Sequence, residues 1–337
     1  MRAAVLAKAG IDNLAVVDLP DPEPGLGEVL VRVRAATLNY RDLLTVEGGY
    51  GSRQRTENLI PVSDGAGEVV AVGDDVTRFV VGDRVVANFF QNWLSGEPDE
   101  VGLHSGLGGM IDGMACELRV LPEYGLCHTP THLTDAEAAA LPCAGLTAWS
   151  AVIDQGGVKP GDLVLTQGSG GVSVFALQFA KLAGAEVIAT SSSDAKLERL
   201  ESLGADYLIN YGKTPEWARR AREIAGGKGL DVVVEVGGAG TLEQSVKAVR
   251  LGGAVMLIGV LSGAKHDFRL PLVVTRKIRL EGVTCGSYAQ FSMMLRAVAQ
   301  NGLKPALDDR RFALDELPAA LAHLRTGAHF GKVVVEI

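Results

Sequence analysis

Nowhere in the 337-residue chain do two cysteines stand in a C-x-x-C spacing. The four thiols, Cys116, Cys127, Cys143 and Cys285, are scattered, so neither a zinc ribbon nor a disulfide framework is expected, and reduced thiols suit a cytoplasmic location. No apolar stretch approaches the ~20 residues needed to cross a bilayer. The opening residues, MRAAVLAKAGIDNLAVVDLP, begin with a strand-like run and lack the long apolar core of a secretory signal. A soluble protein with no membrane partner is expected. Runs of lysine or arginine are also missing, and 32 basic against 40 acidic residues leave a net charge of −8. A nucleic-acid surface is therefore not expected, and a small neutral or anionic ligand is the more natural partner.

What the chain does have is glycine in an informative place. Between residues 162 and 211, DLVLTQGSGGVSVFALQFAKLAGAEVIATSSSDAKLERLESLGADYLINY, an apolar run at 163–166 leads into a glycine cluster and then a helical pattern. Val172, Phe175, Ala176, Phe179 and Ala180 recur at helical spacing, Gly184 stops the helix, and 186–190 begins a second β-rich run. The order predicted is strand, tight turn, helix, strand. The turn reads Gly168, Ser169, Gly170, Gly171, Val172, Ser173, close to G-x-G-x-x-G with serine in the last place. The first glycine permits the turn, the second lets backbone approach a pyrophosphate, and the third thins the helix–strand contact, a role that serine loosens. N–H groups opening the helix would face the phosphates, with the helix dipole favouring negative charge. The bland alternative is an ordinary glycine turn; its place directly between a strand and an amphipathic helix argues against that.

A missing acid at the end of the second strand bears on which dinucleotide binds. NAD-preferring enzymes usually offer Asp or Glu about 20 residues past the glycines to bond the ribose hydroxyls. Here Thr190, Ser191, Ser192 and Ser193 stand instead. Small hydroxyls leave room for a 2′-phosphate, and Lys196, one turn into the next helix, could supply its counter-charge. Asp194 is accounted for by its place at the start of that helix. NADPH is the expected cofactor.

Length favours two domains. Residues 1–125 carry short β patterns at 2–6, 15–18, 28–36, 67–72, 84–88 and 115–121, separated by Gly, Pro and Asp, which predicts a small antiparallel barrel or roll. The stretch 88–113 is polar and glycine-rich and exceeds the ~12–15 residues usual for a structureless loop, which predicts a lid or the wall of a binding cleft. After 130, helices at 133–141, 146–153, 215–225 and 241–249 alternate with strands at 206–210, 230–236 and 254–260, the mark of a doubly wound parallel sheet. Mixed patterns return after 265. The fold class expected is α/β, with a β-rich domain from 1–125 and 266–337, a dinucleotide domain from 126–265, and a substrate cleft between them.

Over nearly its full length the chain resembles the medium-chain dehydrogenase/reductase superfamily, specifically its zinc-free quinone and enoyl reductases. The matching pieces are Leu38-Asn39-Tyr40-Arg41-Asp42, the stretch 61–85, Leu141-Pro142-Cys143-Ala144-Gly145-Leu146-Thr147-Ala148-Trp149, the nucleotide unit and Gly331-Lys332-Val333-Val334. The resemblance implies a GroES-like catalytic domain, a Rossmann-type cofactor domain and a homodimer whose sheets meet edge to edge. It also implies that Gly168, Ser169, Gly170, Gly171 and Val172 lie along the pyrophosphate and that Ser191, Ser192, Lys196 and Tyr211 hold the adenosine 2′-phosphate end. Thr147, Ile258, Gly259 and Val260 would line the nicotinamide, with Lys332 near the cofactor. One departure is the glycine turn, which has the spacing of the alcohol dehydrogenases, one residue shorter than in many quinone reductases.

Zinc-dependent relatives place a cysteine at Asn39, a His-Glu pair at Ser63-Asp64 and a further ligand at Cys143; only the last is kept. A catalytic zinc takes about three protein ligands and an open position, so no metal is expected, and His104, His128 and His132 are read as surface or loop residues. The function expected is NADPH-dependent reduction of a quinone or an α,β-unsaturated carbonyl. The alternatives are a zinc-type alcohol dehydrogenase and a non-catalytic nucleotide-binding scaffold. In enoyl reductases of this branch a tyrosine follows the asparagine of N-x-x-D by eleven residues, which here points from Asn39 to Tyr50 as proton donor, with Tyr40 its rival. The bland reading of Tyr50 is a loop tip among Gly48, Gly49 and Gly51.

Overall fold

The computed structural model describes residues 1–55, 57–265 and 267–337. Its strands, in chain order, are β1 (Arg2–Lys8), β2 (Leu14–Asp18), β3 (Glu28–Thr37), β4 (Glu57–Leu59), β5 (Asp64–Val72), β6 (Arg84–Ala87), β7 (Leu118–Pro122) and β8 (Leu126–His128). They continue with β9 (Leu163–Gln167), β10 (Glu186–Ser191), β11 (Tyr207–Asn210), β12 (Leu230–Glu235), β13 (Val249–Leu257), β14 (Arg279–Gly282), β15 (Leu307–Ala313) and β16 (Lys332–Glu336). The chain divides into two units, Met1–Leu146 with Gly286–Ile337, and Thr147–Cys285.

In the first unit, β3 is the central strand. It pairs antiparallel with β5, β7 and β16, within the order β15-β16-β3-β5-β6-β8, and a smaller sheet runs β2-β1-β4. Val29, Val31 and Val33 alternate inward, as period-2 sheet geometry requires, against Val69, Val85, Leu107, Leu121 and Leu126. Thr37, the last residue of β3, lies opposite both Asp64 of β5 and Val334 of β16. This register brings residues distant in sequence to one end of the sheet.

The second unit is a parallel six-stranded sheet in the order β11-β10-β9-β12-β13-β14. Strands buried on both faces are near-continuously apolar, as in Val164-Leu165 and Val232-Val233-Val234. The order reverses at β9, so the crevice where ligands of such sheets bind lies at the carboxyl ends of β9 and its neighbours. Helix Gly171–Leu182 follows β9 directly and buries Val174, Phe175, Ala176, Phe179 and Ala180.

Some expectations are corrected. The stretch 88–113 is packed at its ends and open in its middle: Phe89, Phe90, Trp93 and Leu107 are buried while 94–101 is exposed, and Asn88 donates to the Phe90 carbonyl while Gln91 donates to that of Asn88. The buried polar side chains at its start bond to nearby backbone, so polar composition there did not mean exposure. Residues 126–146 lie with the first unit, because β8 pairs with β6 and Thr37 Oγ1 donates to the Ala139 carbonyl of helix Asp135–Ala139. The boundary expected at 266 falls on His266, outside the described residues; the second unit runs on to Cys285, since β14 adds to its sheet. Helix Leu270–Arg276, not anticipated, ends where Lys277 takes a left-handed conformation with φ 52°. Among the described residues no helix is long and apolar enough to cross a membrane.

Asp308 ties the carboxyl-terminal elements together. It accepts from the backbone N–H of Phe330 at 2.9 Å and of Arg310 at 3.1 Å, and lies 3.0 Å from His323 Nε2 on helix Leu317–Thr326. Burial pushes its carboxyl up, but these hydrogen bonds outweigh burial and hold it below the usual carboxylate range. A depressed acid contributes stability above its unfolded pKa and loses it as pH falls through the folded value. Asp308→Asn should therefore cost on the order of 1–3 kcal/mol at neutral pH. Thermal melts should show the gap to the parent closing below about pH 4.

Candidate active site and cofactor cradle

The candidate residues fall into two groups, one in each unit. In the first unit Asn39, Tyr40 and Tyr50 stand at the two ends of helix Tyr40–Val46 and the turn after it, and Lys332 opens β16. The N-x-x-D motif starts this helix: Asp42 Oδ2 accepts from the Asn39 N–H at 2.8 Å, and the Asn39 carbonyl accepts from the Asp42 N–H at 2.9 Å. The Asn39 side chain faces elsewhere. Its Nδ2 donates to Asp64 Oδ2 at 2.9 Å and to Ser63 Oγ at 3.3 Å, while its Oδ1 accepts from Lys332 Nζ at 2.5 Å. Lys332 Nζ also lies 3.1 Å from Asp64 Oδ2, and Ser63 Oγ donates to Asp64 Oδ1 at 2.8 Å.

Asp42 is joined to the same cluster through the Ser63 N–H, 3.2 Å from its Oδ1, and through Arg41 Nη1 at 3.0 Å. Burial raises the Asp42 carboxyl, opposed chiefly by Arg41; burial likewise works against the Arg41 charge, but Asp42, Tyr50 and Cys143 outweigh it and hold the guanidinium above its ordinary value. Arg41 donates to the carbonyls of Leu107 and Gly108, each at 2.9 Å, and its guanidinium sits 4.6 Å from the Tyr50 ring centroid. Tyr50 is thus held under a buried cation rather than loose at a glycine-rich tip. Tyr40 is more exposed, at 42%. Sequence reasoning passed over Arg41 as a site residue, although it stands inside the motif that was read.

In the second unit, Gly168 has φ 76°, and a side chain there would meet nothing within 4 Å. Gly170 caps helix Gly171–Leu182 with no side chain over the open first turn, and Ser173 turns its hydroxyl inward onto the Gln167 carbonyl at 2.5 Å. An uncapped, 12-residue helix entered through a glycine turn fits the pyrophosphate of a dinucleotide. Ser169 is buried, while Gly170, Gly171 and Val172 are half-buried. At the carboxyl end of β10, Ser191 is buried, Ser192 is exposed, Lys196 is half-buried on helix Asp194–Ser202, and the Tyr211 N–H donates to the Ser191 carbonyl at 3.1 Å. Asp194 is engaged by Lys213 Nζ at 2.5 Å and Asn210 Nδ2 at 2.7 Å, and the Lys213 bond above all holds its carboxyl low. Lys213 was not among the residues singled out. Ile258 and Gly259, half-buried, follow β13, with Val260 exposed and Thr147 buried in helix Leu146–Trp149.

A β-rich unit with a central antiparallel strand, joined in one chain to a parallel sheet whose glycine turn opens a helix, is the architecture of a nicotinamide-dependent dehydrogenase. The chain belongs to the medium-chain dehydrogenase/reductase superfamily: residues 25–131 match the alcohol dehydrogenase GroES-like domain and residues 171–300 the zinc-binding dehydrogenase family. It is similar to a zinc-type alcohol dehydrogenase-like protein of Schizosaccharomyces pombe, 41% identical over 98% of this chain and 96% of that one. A chloroplastic quinone-oxidoreductase of Triphysaria versicolor is 33% identical over 97% of this chain and 95% of its own. A solved NAD-dependent alcohol dehydrogenase superposes with a TM-score of 0.92 at 38% identity, covering 100% of both chains.

The residues at the implied metal position do not fit zinc. Asn39 offers its carbonyl oxygen to Lys332 and its amide N–H groups to Ser63 and Asp64, so the asparagine is committed, and an ammonium already balances Asp64. A divalent ion would have to displace that ammonium and make do with an amide, a hydroxyl and a carboxylate beside the thiol of Cys143, a poor set for a borderline-soft metal. Among the described residues no three His, Cys, Asp or Glu side chains gather as a metal site.

Arg41, Asp42, Asp64 and Lys332 are all at least nine-tenths buried and balance to zero charge. Lys332→Met strands the Asp64 carboxylate and should cost about 3–5 kcal/mol in urea unfolding. Adding Asp64→Asn should return most of that loss.

Proposed function

We propose that the protein is a zinc-independent, NADPH-dependent reductase of quinones or α,β-unsaturated carbonyls. The observation that carries this reading is the Lys332 ammonium seated on Asn39 and Asp64, where a metal-dependent enzyme needs open ligands. Oxidation of a simple alcohol is helped by a Lewis acid that lowers its pKa, whereas a conjugated acceptor needs less assistance. When bound, the nicotinamide supplies the hydride. Tyr50 meets the oxyanion that develops, its phenol donating the hydrogen bond and then the proton, while Arg41 keeps the ring in place.

Two features support NADPH. The β10 terminus offers hydroxyls rather than a carboxylate, and the nearby acid, Asp194, is neutralised by Lys213 and so adds little repulsion to a 2′-phosphate beside Lys196. A homodimer is supported by β14, the edge strand of its sheet, and by Leu270 and Val274, 68% and 77% exposed on the preceding helix. A cytoplasmic location is in keeping with four cysteines that form no disulfide among the described residues. The second reading, a zinc-type alcohol dehydrogenase, is favoured by the name of the Schizosaccharomyces pombe relative; stoichiometric zinc and chelator-sensitive alcohol oxidation would establish it instead.

Three measurements test the proposal. Enone reduction should survive exhaustive chelation, and purified protein should hold far less than stoichiometric zinc. Lys196→Ala should weaken NADPH much more than NADH, equal loss counting against the 2′-phosphate assignment. Tyr50→Phe should lower kcat for an enone about 10²-fold while NADPH affinity is kept. Quinones, whose reduced oxygens can take protons from water, should be hurt less. Parental enone rates in the Phe variant would pass the role to Tyr40 or to solvent.

A further inference from the structure

Glu235, the last residue of β12, is fully buried and has no cationic partner among the described residues, yet both carboxylate oxygens are occupied. Oε1 accepts from the Gly237 N–H at 2.8 Å, the Gly238 N–H at 2.9 Å and Thr241 Oγ1 at 2.5 Å. Oε2 accepts from Gln167 Nε2 at 2.8 Å and from the Ser245 hydroxyl. Gln167 is the residue immediately before the glycine turn, and its Oε1 accepts in return from the N–H groups of Val236 and Gly237 at 3.2 and 3.3 Å. The backbone carbonyl of Glu235 accepts from the Ile258 N–H at 2.9 Å. One residue therefore joins the ends of β9, β12 and β13.

The loops after β12 and β13 are closed on each other beyond this point. Ser262 donates to the Gly237 carbonyl through both its N–H and its hydroxyl, each at 2.7 Å, and the Ala239 N–H donates to the Gly263 carbonyl at 2.9 Å. A side chain on Gly259 would strike the Val236 carbonyl. Burying a carboxylate is costly without full compensation, so five donors converging on one mark an arrangement in which loop shape is tightly set.

We propose that Glu235 is a positioning residue for the nicotinamide half of the cofactor. This rests on the dinucleotide reading above. With the pyrophosphate at the helix that follows β9 and the adenosine ribose at the end of β10, the remaining half of a dinucleotide extends to the other side of the reversal point, over β12 and β13. Those are the strand ends that Glu235 holds. The adenosine ribose lies at the end of β10, to which no hydrogen bond of Glu235 runs among the described residues.

The test is titration calorimetry with NADPH and with adenosine 2′,5′-bisphosphate, which carries only the adenosine end, at a temperature below each variant's melting point. Glu235→Gln sets an NH2 group against the NH2 of Gln167. It should weaken NADPH about tenfold or more, while bisphosphate affinity stays within about twofold of the parent. The exchange variant Gln167→Glu with Glu235→Gln reverses the amide–carboxylate pair: residue 235 keeps an oxygen toward Gly237, Gly238 and Thr241, and a carboxylate at 167 still accepts from Val236 and Gly237. NADPH affinity should recover in it. Unchanged NADPH affinity in Glu235→Gln overturns the proposal, as does equal loss of both ligands without recovery in the exchange variant. If Glu235→Gln does not fold, Ser245→Ala removes one donor and should weaken NADPH alone by a few-fold; no selective loss overturns the proposal. A parent that binds neither ligand would remove the dinucleotide reading itself, an outcome distinct from a parent that binds both and a variant that matches it.

Discussion

The first unit depends on one buried contact, the ammonium of Lys332 against Asn39 and Asp64. The two ends of this contact are 293 residues apart in the chain, so making it requires β16 to return beside β3 after the whole second unit has been built. Four buried charges share the cluster, and each has an opposite partner and further hydrogen bonds, although Arg41 Nε is buried without a hydrogen-bond acceptor among the described residues. Such a group adds little stability over a well-packed apolar core, but a single missing member is expensive, which makes it selective for one arrangement of β3, β5, β16 and helix Tyr40–Val46. Arg41, paired with Asp42 in the same cluster, in turn lies over the Tyr50 ring.

The second unit uses a related device, a buried carboxylate held by uncharged donors. Parallel strands supply an apolar slab whose carboxyl ends are bare backbone, and polar side chains must shape the loops there. Gln167 and Glu235 do so by linking neighbouring strands across the point where strand order reverses. The glycines are complementary to this: Gly168 takes a backbone shape that other residues resist, and Gly259 allows two loops to touch. Stiffness at the strand ends and openness at the first turn of the following helix come from the same few residues.

Local patterns were legible where the residues acting together are close in sequence. The alternation of strands and helices from 162 onward, the glycine turn and the stop at Gly184 all concern contacts within a few residues. The N-x-x-D motif was visible too, and Asp42 does close the start of its helix. Arg41 was overlooked because nothing in its neighbourhood shows that its guanidinium will reach the carbonyls of residues 107 and 108. Glu235 looked like the ordinary end of a strand, since nothing near it shows that Gln167, 68 residues away, will donate to its carboxylate alongside Gly237, Gly238, Thr241 and Ser245. The start of the stretch 88–113 was hidden for a related reason: Asn88 and Gln91 bond to nearby backbone while Phe89, Phe90 and Trp93 are buried.

By itself the sequence determined the fold class and the superfamily likeness. Those follow from periodicity, backbone freedom and local charge, which are properties of short segments. Only the tertiary structure decided that Asn39 serves Lys332 rather than its own helix, that Tyr50 lies beneath a cation, and that Asp194 is spoken for by Lys213. Each of those depends on which side chain arrives from a distant strand, and hydrogen-bond donors and acceptors have no sequence signature for the partner they will find. Strand register supplies that information, and register is a property of the assembled sheet.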